Sequence, residues 1–400
     1  MVFQIKGNFQ HYDWGGRNFL PNLFQLKNEQ LKPYAEYWLG AHPHLSSTLI
    51  HLQNEKNNSL HEFIKTNPKS TLSEKTFNAF GELPFLCKIM DVNQMLSIQA
   101  HPNKEQALEG FEKENNQTNA QDFKNRFYKD ANYKHEIIIA WSDFWLLYGI
   151  REPKEILATF QQLESCKEIF ELVKEHNPID AIKKLLFFSE EQKEIICTHL
   201  KNELTQRKTT ENWNEDSYDF WIMNAFEQFS SSSINQQFGV LLIYFMNLLK
   251  LKKDSLIYMP SSTIHAYLKG RGFEVISNSD NVVRLALTNK KIDEEEFFKI
   301  GDFNPITQER ISVFNLQENT IFKPPIQDFK IEVINLKPQQ SISFECKGAE
   351  LIFCKEGAGN FRFEENKKFK KTDSFFITSN SKLTITSEIT STLYRISDNL

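Results

Sequence analysis

The sequence predicts a mainly β protein with an α-helical insert, and three observations carry that reading. Between Gly149 and Gly270 the only glycine is Gly239, and the stretch shows helical spacing of apolar residues. Short runs rich in β-branched and aromatic residues, broken by Pro, Gly and Asp, lie on either side of it. Beyond Pro324-Pro325 apolar and polar residues alternate between turn signals, as a small all-β sandwich or barrel requires.

In chain order, residues 1–150 supply the first β segments, among them "ELPFLCKIMDVNQMLSIQAHP" and "YKHEIIIAW". Residues 151–250 are the insert. Within it "EILATFQQLESCKEIFELV" places Ile156, Leu157, Phe160 and Leu163 on one helical face. Asn177-Pro178 restarts a helix in "NPIDAIKKLLFF", and "EEQKEIICTHLKNEL" continues the amphipathic pattern. The apolar run "FGVLLIYFMNLL" at 238–249 is too short to span a bilayer and reads as a buried helix. No chemistry-bearing pattern falls in the insert. Residues 251–320, with "DSLIYMPSSTIHAYLKGRGFEVI", return to the first β domain, and 321–400 form a second one.

The composition narrows the partners. At 400 residues, 40% apolar and 25% charged, the chain is globular and long enough for two or three cores. A net charge of -5 without a basic block favours neither nucleic acid nor a membrane surface, and leaves a small anion as a ligand. The N-terminus "MVFQIKGNFQ" has no apolar h-region, so the cytosol is the expected location. Five cysteines without a CxxC spacing read as buried free thiols. Oligomeric state is left open, a monomer being compatible with all of this.

The stretch "LSIQAHPN" at 96–103 sets Gln99 and His101 two residues apart. On a strand, i and i+2 share a face about 6.6–7 Å apart, within reach of one small object between them. A hydrogen-bonded core histidine with a polar neighbour gives the same pattern. Two further polar residues stand in strand-like surroundings, Glu136 in "NYKHEIIIA" and His265 in "IYMPSSTIHAYLKG". The four make a candidate ligand set of two nitrogens and two oxygens, suited to zinc or another first-row divalent ion. With Glu136 as the one anion, such an ion keeps positive charge and acts as a Lewis acid.

Four motifs then coincide: "QHYDWGG" at 10–16, "AEYWLGAHPHLSS" at 35–47, "LPFLCKIMDVNQMLSIQAHPN" at 83–103 and "HAYLKGRGFEVISNSDNVVRLALTNK" at 265–290. Together, and in order, they resemble the type I mannose-6-phosphate isomerases. The resemblance implies a cupin-type jelly-roll catalytic domain, a helical domain and a second C-terminal β-barrel or jelly roll. It implies one zinc per chain on Gln99, His101, Glu136 and His265, and interconversion of mannose 6-phosphate and fructose 6-phosphate through an enediol. Arg284, Glu274, Lys134 and Asp280 fall on the family's acidic and basic active-site positions, and Lys88, Ser97 and Lys290 are assigned to the sugar phosphate. His42 and His44 are expected to be structural, the ligand set being complete without them. The alternatives are another metal-dependent cupin enzyme, such as an iron oxygenase, and a non-catalytic sugar-sensing cupin.

Two departures stand out. The family commonly writes Asn-His-Lys-Pro-Glu where this chain has Asn132-Tyr133-Lys134-His135-Glu136. Its Arg-Ala-Gly-Leu-Thr-Pro-Lys becomes Arg284-Leu285-Ala286-Leu287-Thr288-Asn289-Lys290, adding bulk at two small positions.

Overall fold

A computed structural model describes residues 1–50, 58–117, 125–316, 319–363 and 366–400. The protein is mainly β, with a helical insert between sheet segments, as the sequence predicts.

One strand organises the first domain. His265–Ser277 pairs through its first residues with Phe144–Ile150 and Ile98–Ala100, and through Gly270–Ser277 with Phe85–Val92. Its far half also pairs with Glu136–Ala140. It therefore passes from one wall of a sandwich to the other. The crossing point is Gly270, at φ +143, where a Cβ would lie 2.5 Å from the ring of Phe144; only glycine fits both the dihedral and the contact.

Strand alternation divides the side chains of the second wall between two environments. Ile137, Ile139, Cys87, Ile89, Phe273 and Val275 face a core shared with the tail. The residues between them point inward. Met90, Val92, Ile138 and Ala140 fill the closed part of the interior with Phe144, Leu146 and Tyr267, while Lys88, Glu136 and Glu274, with Glu36 of the adjoining strand Glu36–Gly40, are buried charged groups. Burying four such groups without partners would be prohibitive, so their clustering marks the site.

The tail packs a seven-stranded sheet on a four-stranded one, with Phe361, Phe369, Phe375 and Ile385 between them. It docks on the first domain through Trp141, which packs against both Phe273 and Phe353 and donates its ring N–H to the Tyr394 hydroxyl at 3.0 Å. The strand Val2–Lys6 belongs to this tail sheet, pairing with Ser374–Ile377.

Helices run through the insert from Pro153–Gln161 to Ile234–Phe238, with a capping box at Ser189 and Gln192 and an Asn177 cap ahead of Pro178. Their core, including Ile169, Leu200, Trp221 and Phe226, covers the outward face of Ile98, Ala100 and Leu147. The run 238–249 is buried but is not a helix throughout: a 3₁₀ stretch Gly239–Phe245 leads into the strand Met246–Leu251, which pairs with Phe144–Ile150. Residues 239–245 are buried on every side, and continuous apolarity erases the periodicity that separates helix from strand. Glu194 is exposed on the insert, so Glu194→Ala should leave turnover within about twofold, surface changes usually staying within ±0.5 kcal/mol; steady-state kinetics check it. All five cysteines are free and buried, as expected, and among the described residues no helix is long and apolar enough to cross a membrane.

Candidate metal centre and its pocket

The inward face of Glu136–Ala140 begins with Glu136. From the opposite wall His265 stands directly across from Gln99 in the pairing, and Gln99 is flanked on its other side by Arg284. His101 follows two residues after Gln99. The Nε2 atoms of His101 and His265 each lie 3.2 Å from a carboxylate oxygen of Glu136, His101 on Oε1 and His265 on Oε2. Ligand atoms of all three residues fall within 4.8 Å of one another. The Gln99 amide adjoins them, its Nε2 placed 3.3 Å from His265 Nε2.

The protons of this cluster indicate what belongs in it. His101 Nδ1 donates to the Asn281 carbonyl at 2.7 Å, and His265 Nδ1 donates to the Thr263 carbonyl at 2.9 Å. A carbonyl only accepts, so both rings carry a hydrogen on Nδ1 and turn Nε2, the nitrogen left to ligate, toward Glu136. Lone pairs facing a carboxylate repel unless a cation lies between them. Consistent with this, the buried Oε2 of Glu136 has no hydrogen-bond donor. Backbone carbonyls holding the far nitrogens of two histidines are the usual outer support of a metal site. Rotating the Gln99 amide by 180° exchanges its two ends, a choice set by the hydrogen-bond network, and Ser97, whose hydroxyl now donates to Gln99 Oε1 at 3.1 Å, can equally accept. The donor set thus fits a divalent ion on His101, His265, Glu136 and Gln99.

Lys134 Nζ reaches Glu136 Oε1 at 2.7 Å and His101 Nε2 at 3.5 Å. Burial alone would raise the Glu136 carboxyl, but the Lys134 ammonium holds it well below the usual range. Burial, with Lys134 next, pushes His101 down to about 4, so it stays neutral and free to ligate.

A second pair lies beside the first. Lys88 and Glu274 are directly opposite in the pairing and meet at 3.0 Å, and the Tyr267 hydroxyl donates to the other Glu274 oxygen at 3.0 Å. Burial raises Glu274 against the pull of Lys88, while Glu274, with Glu36 and Glu136, overcomes burial to keep Lys88 firmly protonated. Asp280 accepts from His42 at 3.0 Å, which, against burial, holds its carboxyl low. His42 is thus engaged by a carboxylate of the cavity wall.

These groups open into one cavity of about 460 Å³, lined also by Tyr12, Glu36, Lys129, Arg284 and Lys290. A larger hollow of about 880 Å³ lies beside the tail, around Asp254 and Tyr394, but the one His/Cys/Asp/Glu cluster able to hold a metal among the described residues reaches the smaller cavity, through Glu136. Its cations divide in two. Lys88 and Lys134 are buried and paired; Arg284, Lys129 and Lys290 make no ion pair among the described residues. Burial lowers Arg284, and burial together with Arg284 lowers Lys290 against the opposing pull of Glu36. Asn281 fixes this wall, accepting the backbone N–H of Lys129 at 2.7 Å while its own carbonyl holds His101.

Sequence reasoning passed over Glu36, Tyr267, Lys129 and two residues of the insert. Glu36 accepts from the Trp38 ring N–H within an i, i+2 pair like that of Gln99 and His101, so the same signal was available. Gln228 and Phe229 bring the insert to the cavity wall, with Gln228 clamping the backbone of Met95 by two hydrogen bonds of 2.9 Å; nothing in an amphipathic pattern marks such a contact.

Comparison with known proteins places this geometry. The pattern of the phosphomannose isomerase type I catalytic domain matches residues 2–152. The mannose-6-phosphate isomerase of Salmonella typhimurium is 31% identical over 381 residues, covering 94% of each chain. The chain belongs to the type I phosphomannose isomerase family. The human mannose-6-phosphate isomerase is 30% identical over 360 residues, 82% of this chain and 81% of its own. Among solved members of the phosphomannose isomerase family, a mannose 6-phosphate isomerase bound with zinc and yttrium superposes over all of both chains with a TM-score of 0.86 at 29% identity. A zinc-bound holo form of mannose 6-phosphate isomerase gives the same score at 30%. The cupin-type fold that the motifs implied is thus the fold of the phosphomannose isomerases.

Proposed function

We propose that this chain is a zinc-dependent isomerase interconverting mannose 6-phosphate and fructose 6-phosphate, working in the cytosol on a free sugar phosphate. The observation that carries the reading is a buried His–Glu–His cluster that reaches, through Glu136, a cavity lined by three cations making no ion pair among the described residues. The first suits a sugar's vicinal oxygens and the second a phosphate dianion. Neither an oxygenase nor a sugar sensor needs both.

His101, His265, Glu136 and Gln99 hold the zinc, which supplies a Lewis acid for the substrate's C1 and C2 oxygens. The reaction removes a proton from C2 of the open-chain aldose and delivers one to C1, so it needs a base beside the carbons and donors for the developing oxyanion. Glu274 suits the base, because burial raises its carboxyl while Lys88 and Tyr267 fix its orientation. Lys134, paired with Glu136, and Arg284, whose fork is unspent among the described residues, provide the donors. Lys290 and Lys129 take the phosphate at the rim. Lys88 assists from behind Glu274, its charge already matched there, and Ser97 sets the Gln99 amide. Asp280, held by His42, fixes the wall between them.

A coupled assay for fructose 6-phosphate formed from mannose 6-phosphate tests the reading. Turnover should disappear after dialysis against a chelator and return with about one equivalent of zinc per chain. Turnover that survives in metal-free protein would sink the proposal.

A further inference from the structure

The Glu136 strand has a second face, turned from the cavity, and the run leading into it carries Tyr133 and His135 there, two positions at which the chain departs from the family pattern. The His135 ring stacks on Tyr258 at 5.9 Å with 13° between planes, and Tyr133 meets it edge-on at 4.8 Å. The Tyr133 hydroxyl donates to Asp328, in the segment leading into the tail. His135 Nδ1 lies 3.2 Å from the backbone N–H of Ser261 and 2.8 Å from the Tyr258 hydroxyl. A backbone N–H can only donate, so Nδ1 is the acceptor.

Ser261 opens the short loop that ends at His265, and that loop touches every histidine of the cluster. The Ser261 hydroxyl donates to the Lys134 carbonyl at 3.4 Å. Ser262, held at φ +68, donates its N–H to the His101 carbonyl at 2.7 Å. Thr263 offers the carbonyl that takes the Nδ1 hydrogen of His265. On its other side the His135 backbone N–H donates to the Ser277 hydroxyl at 3.3 Å, and its carbonyl accepts from the Ser277 N–H at 2.9 Å. A proline at this position would lock the backbone through its ring; here the locking comes from an imidazole that also grips the neighbouring loop.

We infer that His135 is a positioning residue for the metal centre: through Nδ1 it fixes the 261–263 loop, and that loop sets the orientation of His265 and the backbone of His101, while Glu136 is its immediate chain neighbour. The inference rests on the metal reading above and adds to it a residue that touches neither metal nor substrate. Outer supports of this kind typically change metal affinity by about 10–100-fold when removed.

Two variants separate positioning from bulk. His135→Leu keeps volume and loses the acceptor; His135→Asn places an amide oxygen close to where Nδ1 stands. The readouts are the zinc dissociation constant by competition with a chromophoric chelator, the visible absorption bands of the cobalt-substituted protein, and KM and kcat in excess zinc. His135→Leu should weaken zinc binding about 10–100-fold, shift the cobalt bands and lower kcat with KM within twofold, and His135→Asn should recover zinc affinity to within threefold of the parent. If His135→Leu fails to fold, His135→Gln, whose oxygen sits one methylene too far, takes its place with the same expectation. Parent-like zinc affinity and cobalt bands in the acceptor-free variant, or equal losses in both variants, overturn the inference while leaving the zinc reading intact; a parent that binds no zinc overturns both.

Discussion

His265→Ala should strip the protein of its metal and with it nearly all turnover. The imidazole is one of two nitrogen donors, aimed by the Thr263 carbonyl and standing opposite Gln99 across the sheet. Alanine removes the donor and leaves Glu136 Oε2, already without a hydrogen bond, facing a hole. Losing a direct ligand should exceed the roughly 10–100-fold cost of losing an outer support, so zinc affinity should drop by more than about 100-fold. Metal analysis of the purified variant, beside the parent's expected one zinc per chain, reads this directly. Thermal melting gives an independent check, since a ligand that binds only the folded state raises its stability: chelation should lower the parent's Tm and leave the variant's unmoved. A variant that retains parental zinc and turnover would remove His265 from the ligand set.

Arg284→Ala should cost about 10²–10³-fold in kcat, the usual loss for one oxyanion donor, with zinc content unchanged because a protonated guanidinium cannot ligate. Its neighbour across the sheet is Gln99, which places it against the metal centre, and its donors are unspent among the described residues. Arg284→Lys should also lose turnover, keeping the charge but not the paired donors. Steady-state kinetics distinguish the two roles open to it. A fall in kcat at steady KM means that it acts in the transition state; a rise in KM with kcat nearly kept means that it only grips the phosphate. Turnover of the zinc-loaded alanine variant within threefold of the parent would leave the chemistry to Glu274 and Lys134.

The parts of this site legible in the sequence are those that strand alternation makes local. Gln99 and His101 declared a shared face, and Glu136 and His265 stood out as polar residues in apolar strands. Pairings across strands are a different kind of information. Lys88 reads as a phosphate cation until the register sets it opposite Glu274, after which its charge is committed inside the cavity. Lys129 gave no signal at all, because the loop that carries it is placed by Asn281, some 150 residues away. The insert was recognised by its spacing, yet the run 238–249, read as one helix, turns into a strand at Met246, where unbroken burial hides the change.

The placement of Val2–Lys6 in the tail sheet has a consequence for how the molecule is made. Its partner Ser374–Ile377 lies more than 360 residues further on, and at about 5–20 residues per second a ribosome takes roughly 20–75 s to reach it. Throughout that interval Val2 and Ile5, both buried in the finished protein, have no tail sheet to enter, and an unpaired apolar strand edge invites pairing with other chains. Chains arrested before residue 374 should therefore be cut within their first residues by protease that spares the finished protein, and should collect chaperones that the completed sheet sheds.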